Sequence, residues 1–242
     1  MTILVAGATG ATGRLLVNDL LKRGEQVKVV VRSPERLAGD IRDHANVTVI
    51  PGTLLDRSDE EIAELVRGCD AVASCLGHNL TLKGIFGKPR RLVTDTTRRL
   101  CQAIRATNPH RPVRFVLMNT VANRNRDIPE QFTFGERCVI GLIRVLIPPQ
   151  PDNEGAAEHL RAVIGRNDQS VEWVAVRPDS LVDAPAVTAY DVYPSPIRSG
   201  IFDPGKTSRI NVGHFMAALI TEDRTWQQWR GQMPVIYNRN AR

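Results

Sequence analysis

Met1-Thr2-Ile3-Leu4-Val5-Ala6-Gly7-Ala8-Thr9-Gly10-Ala11-Thr12-Gly13-Arg14 opens the chain, and its reading decides the fold. Ile3 to Ala6 is a short apolar run that feeds directly into Gly7, Gly10 and Gly13. A strand running into closely spaced glycines and then a helical pattern is the entrance to a mononucleotide half-site. The first glycine permits a tight turn, the second lets the backbone approach a pyrophosphate, and the third lets helix and strand pack closely. The helix N-terminus adds unpaired N–H groups and partial positive charge for the phosphates. Leu15, Leu16, Leu20 and Leu21 lie on one broad helical face, Gly24 stops that helix, and Val27 to Val31 forms a second apolar strand. This context turns a glycine triplet, weak by itself, into the expectation of a bound dinucleotide, with Thr9, Ala11, Thr12 and Arg14 in the same loop.

At 242 residues and 42% hydrophobic content, the chain is long enough for one well-filled α/β domain, and no linker, low-complexity tract or repeat divides it. The net charge of +6 would suit nucleic acid, but aromatics are only 5% and the basic residues are scattered. Nucleic acid is therefore not an expected partner, and part of the excess is assigned to cofactor phosphates. Cys69, Cys75, Cys101 and Cys138 form no C-x-x-C pair and have no histidines at metal spacing. They read as reduced, mostly buried thiols of a cytoplasmic protein, with no metal site. Met1 to Ala6 is too short for a signal peptide, and Cys138 to Ile147 is interrupted by Arg144 and ended by Pro148-Pro149, so no membrane partner is expected.

The second strand ends in Val30-Val31-Arg32-Ser33-Pro34, with Arg36 close behind. A site preferring NAD usually places an acid there for the ribose 2′-hydroxyl, whereas a 2′-phosphate needs positive charge and hydroxyl donors. Arg32, Ser33 and Arg36 therefore point to NADP. Val47 to Ile50 reads as strand three, and Ser58 with Glu61 as a capping box for a helix carrying Ile62, Leu65 and Val66. Ala71 to Leu76 reads as strand four, ending at Gly77, so the loop Gly77-His78-Asn79 should lie at the crevice where open parallel sheets bind ligands. Residues 79 to 91 suit an active-site rim, Leu92 to Ala106 reads as a helix, and Val113 to Met118 as strand five, giving out into Asn119-Thr120. The repeated strand and helix alternation builds a parallel sheet with helices on both faces.

Phe132, Phe134, Val139, Ile140, Leu142, Ile143, Leu146 and Ile147 make an unusually apolar stretch, readable as a lid over an aromatic acceptor, a homodimer or partner face, or an ordinary buried helix. Asp152 reads as the cap of a helix through Ala156, Ala157, Leu160, Val163 and Ile164. His159 on that helix reads as a surface residue or a proton donor from the lid side. Glu172 to Val176 is strand six, ended by Arg177-Pro178; Ala184 to Ile197 reads as an irregular cover over the site. Asn211 reads as the cap of a helix over 212–220, and Trp226 and Trp229 as closing the C-terminal edge of the core.

The glycine motif at 7 to 13, Asp70-Ala71-Val72 with Leu76-Gly77, and Trp173-Val174-Ala175-Val176-Arg177-Pro178 resemble the atypical short-chain dehydrogenase/reductases. The chain is most similar there to the NAD(P)H-binding group that includes flavin reductase/biliverdin reductase B-like and NmrA-like proteins. The resemblance implies a Rossmann-type doubly wound parallel sheet with a small substrate lobe, contributed by about 121–170 and 183–205. It implies that Leu76, Gly77, Asn119, Thr120, Pro178, Ser180 and Leu181 line the cofactor. Thr207-Ser208-Arg209 resembles the family's late strand-to-helix junction. Thr53-Leu54 stands where the family often has Asp and an apolar residue beside the adenine.

The chain departs from the family at its catalytic pair. Typical members use Tyr-x-x-x-Lys; here Tyr190 meets Pro194, Tyr193 meets Ile197 and Tyr237 meets Ala241. Aligning Ala157-Glu158 on the family's Ala-Glu puts Gln150 and Glu154 where Tyr and Lys would stand, and only a hydroxyl, at Thr120, survives of the supporting serine. Two readings remain. In one, NADPH reduces a flavin, with FMN or FAD as substrate, a quinone or a similar conjugated acceptor that needs no tyrosine, with Thr120 and His159 as candidate catalytic groups. In the other, the fold binds NADP(H) without catalysis and reports redox state to a partner.

Overall fold

The computed structural model describes residues 1–78, 87–130 and 133–239. Asn79, most of the rim expected over 79–91, and Phe132 lie outside the described residues.

Strand β1 (Thr2–Ala6) runs through the Gly7 to Thr12 turn into α1 (Gly13–Lys22), which returns through Gly24 to β2 (Gln26–Val31). There follow α2 (Gly39–Arg42), β3 (Val47–Pro51), α3 (Asp59–Val66), β4 (Ala71–Ser74), α4 (Leu92–Ala106) and β5 (Val113–Met118). After these come α5 (Phe134–Leu146), α6 (Pro149–Glu158), β6 (Val171–Pro178), β7 (Ser180–Val182), β8 (Tyr190–Tyr193) and β9 (Lys206–Ser208). Helices α7 (Arg209–Thr221) and α8 (Asp223–Trp229) and strand β10 (Val235–Asn238) complete the chain. The main sheet has the order β3-β2-β1-β4-β5-β6-β10-β8, parallel throughout except for β8, and β7 pairs with β9 in a separate two-stranded sheet.

The alternation of β1 decides the two layers. Ile3 and Val5 face one way, into a core with Leu16, Val17 and Leu20 of α1 and Val212, Phe215 and Met216 of α7. Leu4 and Ala6 face the other, into a core with Ile62 and Val66 of α3 and Leu100 and Ile104 of α4. A parallel sheet covered on both faces needs such apolar strands, and here the four β1 residues are buried. The chain leaves β1 toward β2 on one side and returns to β4 on the other, so the strand order reverses at β1, where such sheets open a crevice at their carboxyl edge.

The expected capping box of α3 is present, with the Glu61 N–H donating to Ser58 Oγ at 3.2 Å and the Ser58 N–H to the Glu61 carboxylate at 2.7 Å. Trp226 packs in the core and its indole N–H donates to Glu172 at 2.6 Å, closing that edge as expected.

Other expectations are corrected. Asp152 does not cap its own helix: α6 begins at Pro149, and Asp152 lies inside it. Asn211 does not cap α7 either. Ser208 does, accepting the Asn211 N–H at 3.3 Å, while the buried Asn211 amide donates to Thr188 Oγ1 and Asn238 Oδ1. In the segment 149–164, Ala156, Ala157, Leu160 and Ile164 pack with α4. The 184–197 stretch contributes β8, an edge strand antiparallel to β10, rather than an irregular cover. Helix α5 is not buried: only Glu136 and Ile140 are, and Phe134, Leu142, Val145 and Leu146 face solvent.

Candidate functional site

Gly7 turns the chain with φ +87°, and a Cβ added there would lie 2.7 Å from the carbonyl carbon of Cys75. The β1 turn is thereby seated against the end of β4. A Cβ on Gly13 would meet Gly7 O at 2.1 Å, so α1 starts where only glycine fits. Gly10 differs: its N–H donates to Gly7 O at 2.9 Å, and a Cβ would meet Gly7 O at 3.1 Å and next Cys75 O at 3.9 Å. The first and third glycines are fixed by protein packing, and the second leaves an open approach.

Helix α1 begins without a capping side chain and without an acid in its first turn. The N–H groups of Ala11, Thr12 and Gly13 find no acceptor among the described residues. Three donors at the positive end of a ten-residue helix, beside a turn lined by Thr9, form a cradle for an anion. Arg14, Arg32 and Arg36 are exposed around it, and among the described residues none of the three forms an ion pair, whereas Arg23, Arg99 and Arg161 elsewhere all hold carboxylates. Ser33 precedes a short 3₁₀ turn whose N-terminus its hydroxyl does not cap.

The remaining expected wall residues divide. Gly77 is exposed at the carboxyl end of β4, and Leu76 packs partly into the α3 and α4 layer. Thr53 is turned away to Asp56, donating to its carboxylate at 2.8 Å and accepting its N–H at 3.2 Å, and Leu54 is buried in the core. Asp56, missed from the sequence, is thus the acid that this turn presents. Pro178 is buried, its carbonyl accepting the Val121 N–H at 3.1 Å, while Ser180 is exposed and Leu181 pairs with Thr207.

Asn119 is not a free wall residue. Its Nδ2 donates to Asn153 O at 3.0 Å, and its Oδ1 accepts the Thr120 N–H at 2.8 Å and the Asn123 amide. Asn123 Oδ1 in turn accepts from Gln150 Nε2 at 2.8 Å, and Gln150 also donates to Glu154 at 2.9 Å, which is held by Arg144 at 2.8 Å. A continuous polar chain therefore runs from the Thr120 turn at the end of β5 along α6.

His78 is half-buried: its Nε2 lies 2.7 Å from Asp152 Oδ2, with side-chain exposures of 5% and 1%. Asp152 also accepts the Val93 N–H at 2.9 Å and the Thr94 N–H at 2.8 Å, so it caps α4 from the neighbouring helix. The signal was available, since Arg90-Arg91 offers α4 no capping residue of its own. Burial, with Arg98 and Arg105 adding to it, holds the His159 pKa below the usual histidine value. Its Nε2 is buried and has no hydrogen-bond partner among the described residues.

Arg177, near the end of β6, is fully buried. It donates to Glu130 at 2.6 Å, Asn123 O at 2.8 Å and Met233 O at 2.7 Å, fixing the segment after β5 to the sheet. Burial pushes the Cys75 thiol up to about 12, which leaves it an inert thiol beside Gly7. Tyr190 and Tyr237 are likewise pushed up to about 12 by burial, with Tyr190 hydrogen-bonded to His214 at 2.8 Å.

The profile of the NAD(P)H-binding family matches residues 7–223, from the glycine turn to α8. The chain belongs to this NAD(P)H-binding family. Among solved structures, the oxidoreductase ylbE from Lactococcus lactis has a TM-score of 0.70 at 18% identity, covering 100% of this chain and 92% of that one. A short-chain dehydrogenase/reductase of the wide type from Veillonella parvula, in complex with NADP, has a TM-score of 0.68 at 16% identity, covering 98% and 94%. A candidate NADH-flavin reductase from Streptococcus pneumoniae has a TM-score of 0.64 at 16% identity, covering 99% and 100%. The NAD(P)H-binding protein thus has the fold of the atypical short-chain dehydrogenase/reductases that its sequence resembles. No described helix is long and apolar enough to cross a membrane.

Proposed function

We propose that this NAD(P)H-binding protein is an NADPH-dependent reductase of a flavin, quinone or similar conjugated acceptor. One observation carries the reading. Aligning Ala157-Glu158 on the family's Ala-Glu puts Gln150 and Glu154 where the proton-donating pair would stand, and Gln150 is tied to both Asn123 and Glu154. An amide and an Arg-paired carboxylate supply no activated hydroxyl, so reduction of a simple carbonyl, whose oxygen must gain a proton in place, is disfavoured. A conjugated acceptor delocalises the charge of the incoming hydride and takes its proton from solvent.

The residues present fit the cofactor. Gly7, Gly10 and Gly13 with the free N–H groups of Ala11, Thr12 and Gly13 would hold the pyrophosphate. Arg32, Ser33 and Arg36, with Arg14, would hold a 2′-phosphate, and Gly77, Thr120 and Ser180 would border the nicotinamide side. The reduced nicotinamide supplies hydride when bound; the chain's part is to place the two rings and restrict water. A solved neighbour in complex with NADP supports a nicotinamide cofactor, and one described as a candidate NADH-flavin reductase supports a flavin acceptor. The experiment is NADPH consumption with FMN and a panel of quinones. Turnover that disappears in Gly10→Asp supports the reductase; tight NADPH binding without turnover on any acceptor rejects it in favour of a redox sensor.

A further inference from the structure

A cleft of about 580 Å³ lies between α6 and the segment after β5. Four arginines line it: Arg124 and Arg126 from that segment, Arg144 from α5 and Arg161 from the wide turn that continues α6. Glu154 and Glu158 are the carboxylates of the lining, which leaves two positive charges in excess. The pairing shows where the excess sits. Arg144 holds Glu154 at 2.8 Å, and Arg161 holds Glu158 at 2.8 Å and, outside the lining, Asp127 at 2.6 Å, all at charge-assisted distance. Arg126 reaches Glu158 only at 3.7 Å with its side chain 60% exposed, and Arg124 is exposed and forms no ion pair among the described residues. Guanidinium groups drawn from three segments onto one concave surface repel one another unless an anion lies between them.

The cleft adjoins the Thr120 turn. Asn123 lines it, donates its backbone N–H to Thr120 O at 3.1 Å, and shares Asn119 Oδ1 with the Thr120 N–H. Asn123 is thus common to the cleft and to the turn that the reductase reading places beside the nicotinamide. We propose that this cleft binds the anionic tail of the acceptor, a phosphate or carboxylate group taken by Arg124 and Arg126, and so selects charged over uncharged acceptors with the same ring. The planar guanidinium fork matches either group, and a doubly charged phosphate would neutralise the excess. That the occupant is a conjugated acceptor rests on the reductase reading above; that it carries an anion rests on the cleft.

FMN and riboflavin share one ring system and differ in a single phosphate, which makes them the probes. Flavin fluorescence titration is expected to show FMN bound about tenfold more tightly than riboflavin, a difference that narrows with added salt. In Arg124→Gln/Arg126→Gln the ratio is expected to fall toward one, and in Arg124→Lys/Arg126→Lys to be partly restored. Equal affinity for the two flavins in the wild type, no saturable FMN binding, or a ratio unmoved in the glutamine variant overturns the proposal. NADPH oxidation in the same samples separates the two readings. A high, arginine-dependent FMN preference without turnover removes the reductase and keeps the anion cleft. Turnover of both flavins with an affinity ratio of one does the reverse.

Discussion

Asp152 of α6 caps helix α4, its Oδ1 accepting the Thr94 N–H at 2.8 Å while its Oδ2 holds the Val93 N–H and His78. Thr94 returns a bond, its hydroxyl donating to Asp152 O at 2.7 Å. Two helices and the end of β4 are joined through one buried carboxylate. Asp152→Ala would remove the acceptor of two helix N–H groups and the bond to His78, and we expect a loss of about 2–4 kcal/mol in urea unfolding. Asp152→Asn keeps one acceptor oxygen and should lose clearly less. Equal stabilities for both variants and the wild type would show that the bonds contribute nothing net.

Gly10 and Gly13 should separate binding from folding. A Cβ on Gly13 falls 2.1 Å from Gly7 O, so Gly13→Ala must move backbone and is expected to destabilise by about 1–3 kcal/mol. A Cβ on Gly10 meets Gly7 O at 3.1 Å, a contact relieved by a few tenths of an ångström. Gly10→Ala should keep a near wild-type unfolding midpoint while weakening NADPH at least about tenfold by standing between backbone and phosphate. Unfolding and cofactor titrations of both variants check the contrast, and losing it would mean that Gly10 is packed like its neighbours.

The buried Arg177–Glu130 pair should show the asymmetry of buried charges. Glu130→Ala strands a guanidinium that is fully buried and is expected to cost about 3–5 kcal/mol. Arg177→Met/Glu130→Leu strands neither charge and should lose less than the single change. A double variant no more stable than Glu130→Ala would contradict this.

His159 supplies a pH test. Burial lowers its pKa, so the folded protein binds fewer protons there than the unfolded chain does. Its contribution is therefore complete above the unfolded value of about 6.5 and is lost as pH falls through the lower folded value. Wild-type stability should fall with acidity below about pH 6.5 by a component absent from His159→Leu. Parallel pH profiles for the two proteins would show that His159 titrates as it does in the unfolded chain.

The sheet and the glycine turn were legible in the sequence because their signals are local. Apolar strands such as Val27 to Val31 alternate with helices, and the spacing of Gly7, Gly10 and Gly13 implies close backbone contact, which the structure shows in the 2.1 Å and 2.7 Å approaches of hypothetical Cβ atoms. Contacts made across the chain were not legible. Asp152 satisfied the local rule for a cap, yet its partners lie about 60 positions away in α4, at separations of 58 and 59. Arg177 looked like the end of a strand and proved to be the anchor of the segment at 121–130, 47 positions from Glu130. The apolar residues of α5 left a lid, a homodimer or partner face and a buried helix all open, because hydrophobic periodicity states which face is apolar and not whether anything covers it.

Calorimetric titration of NADPH and NADH into the purified protein and Arg32→Ala/Arg36→Ala tests the central claim most directly. The account predicts one saturable site that takes NADPH more tightly than NADH, with a preference reduced at least about tenfold in the arginine variant. Absence of saturable binding of either nucleotide, or NADH bound as tightly as NADPH, would contradict it.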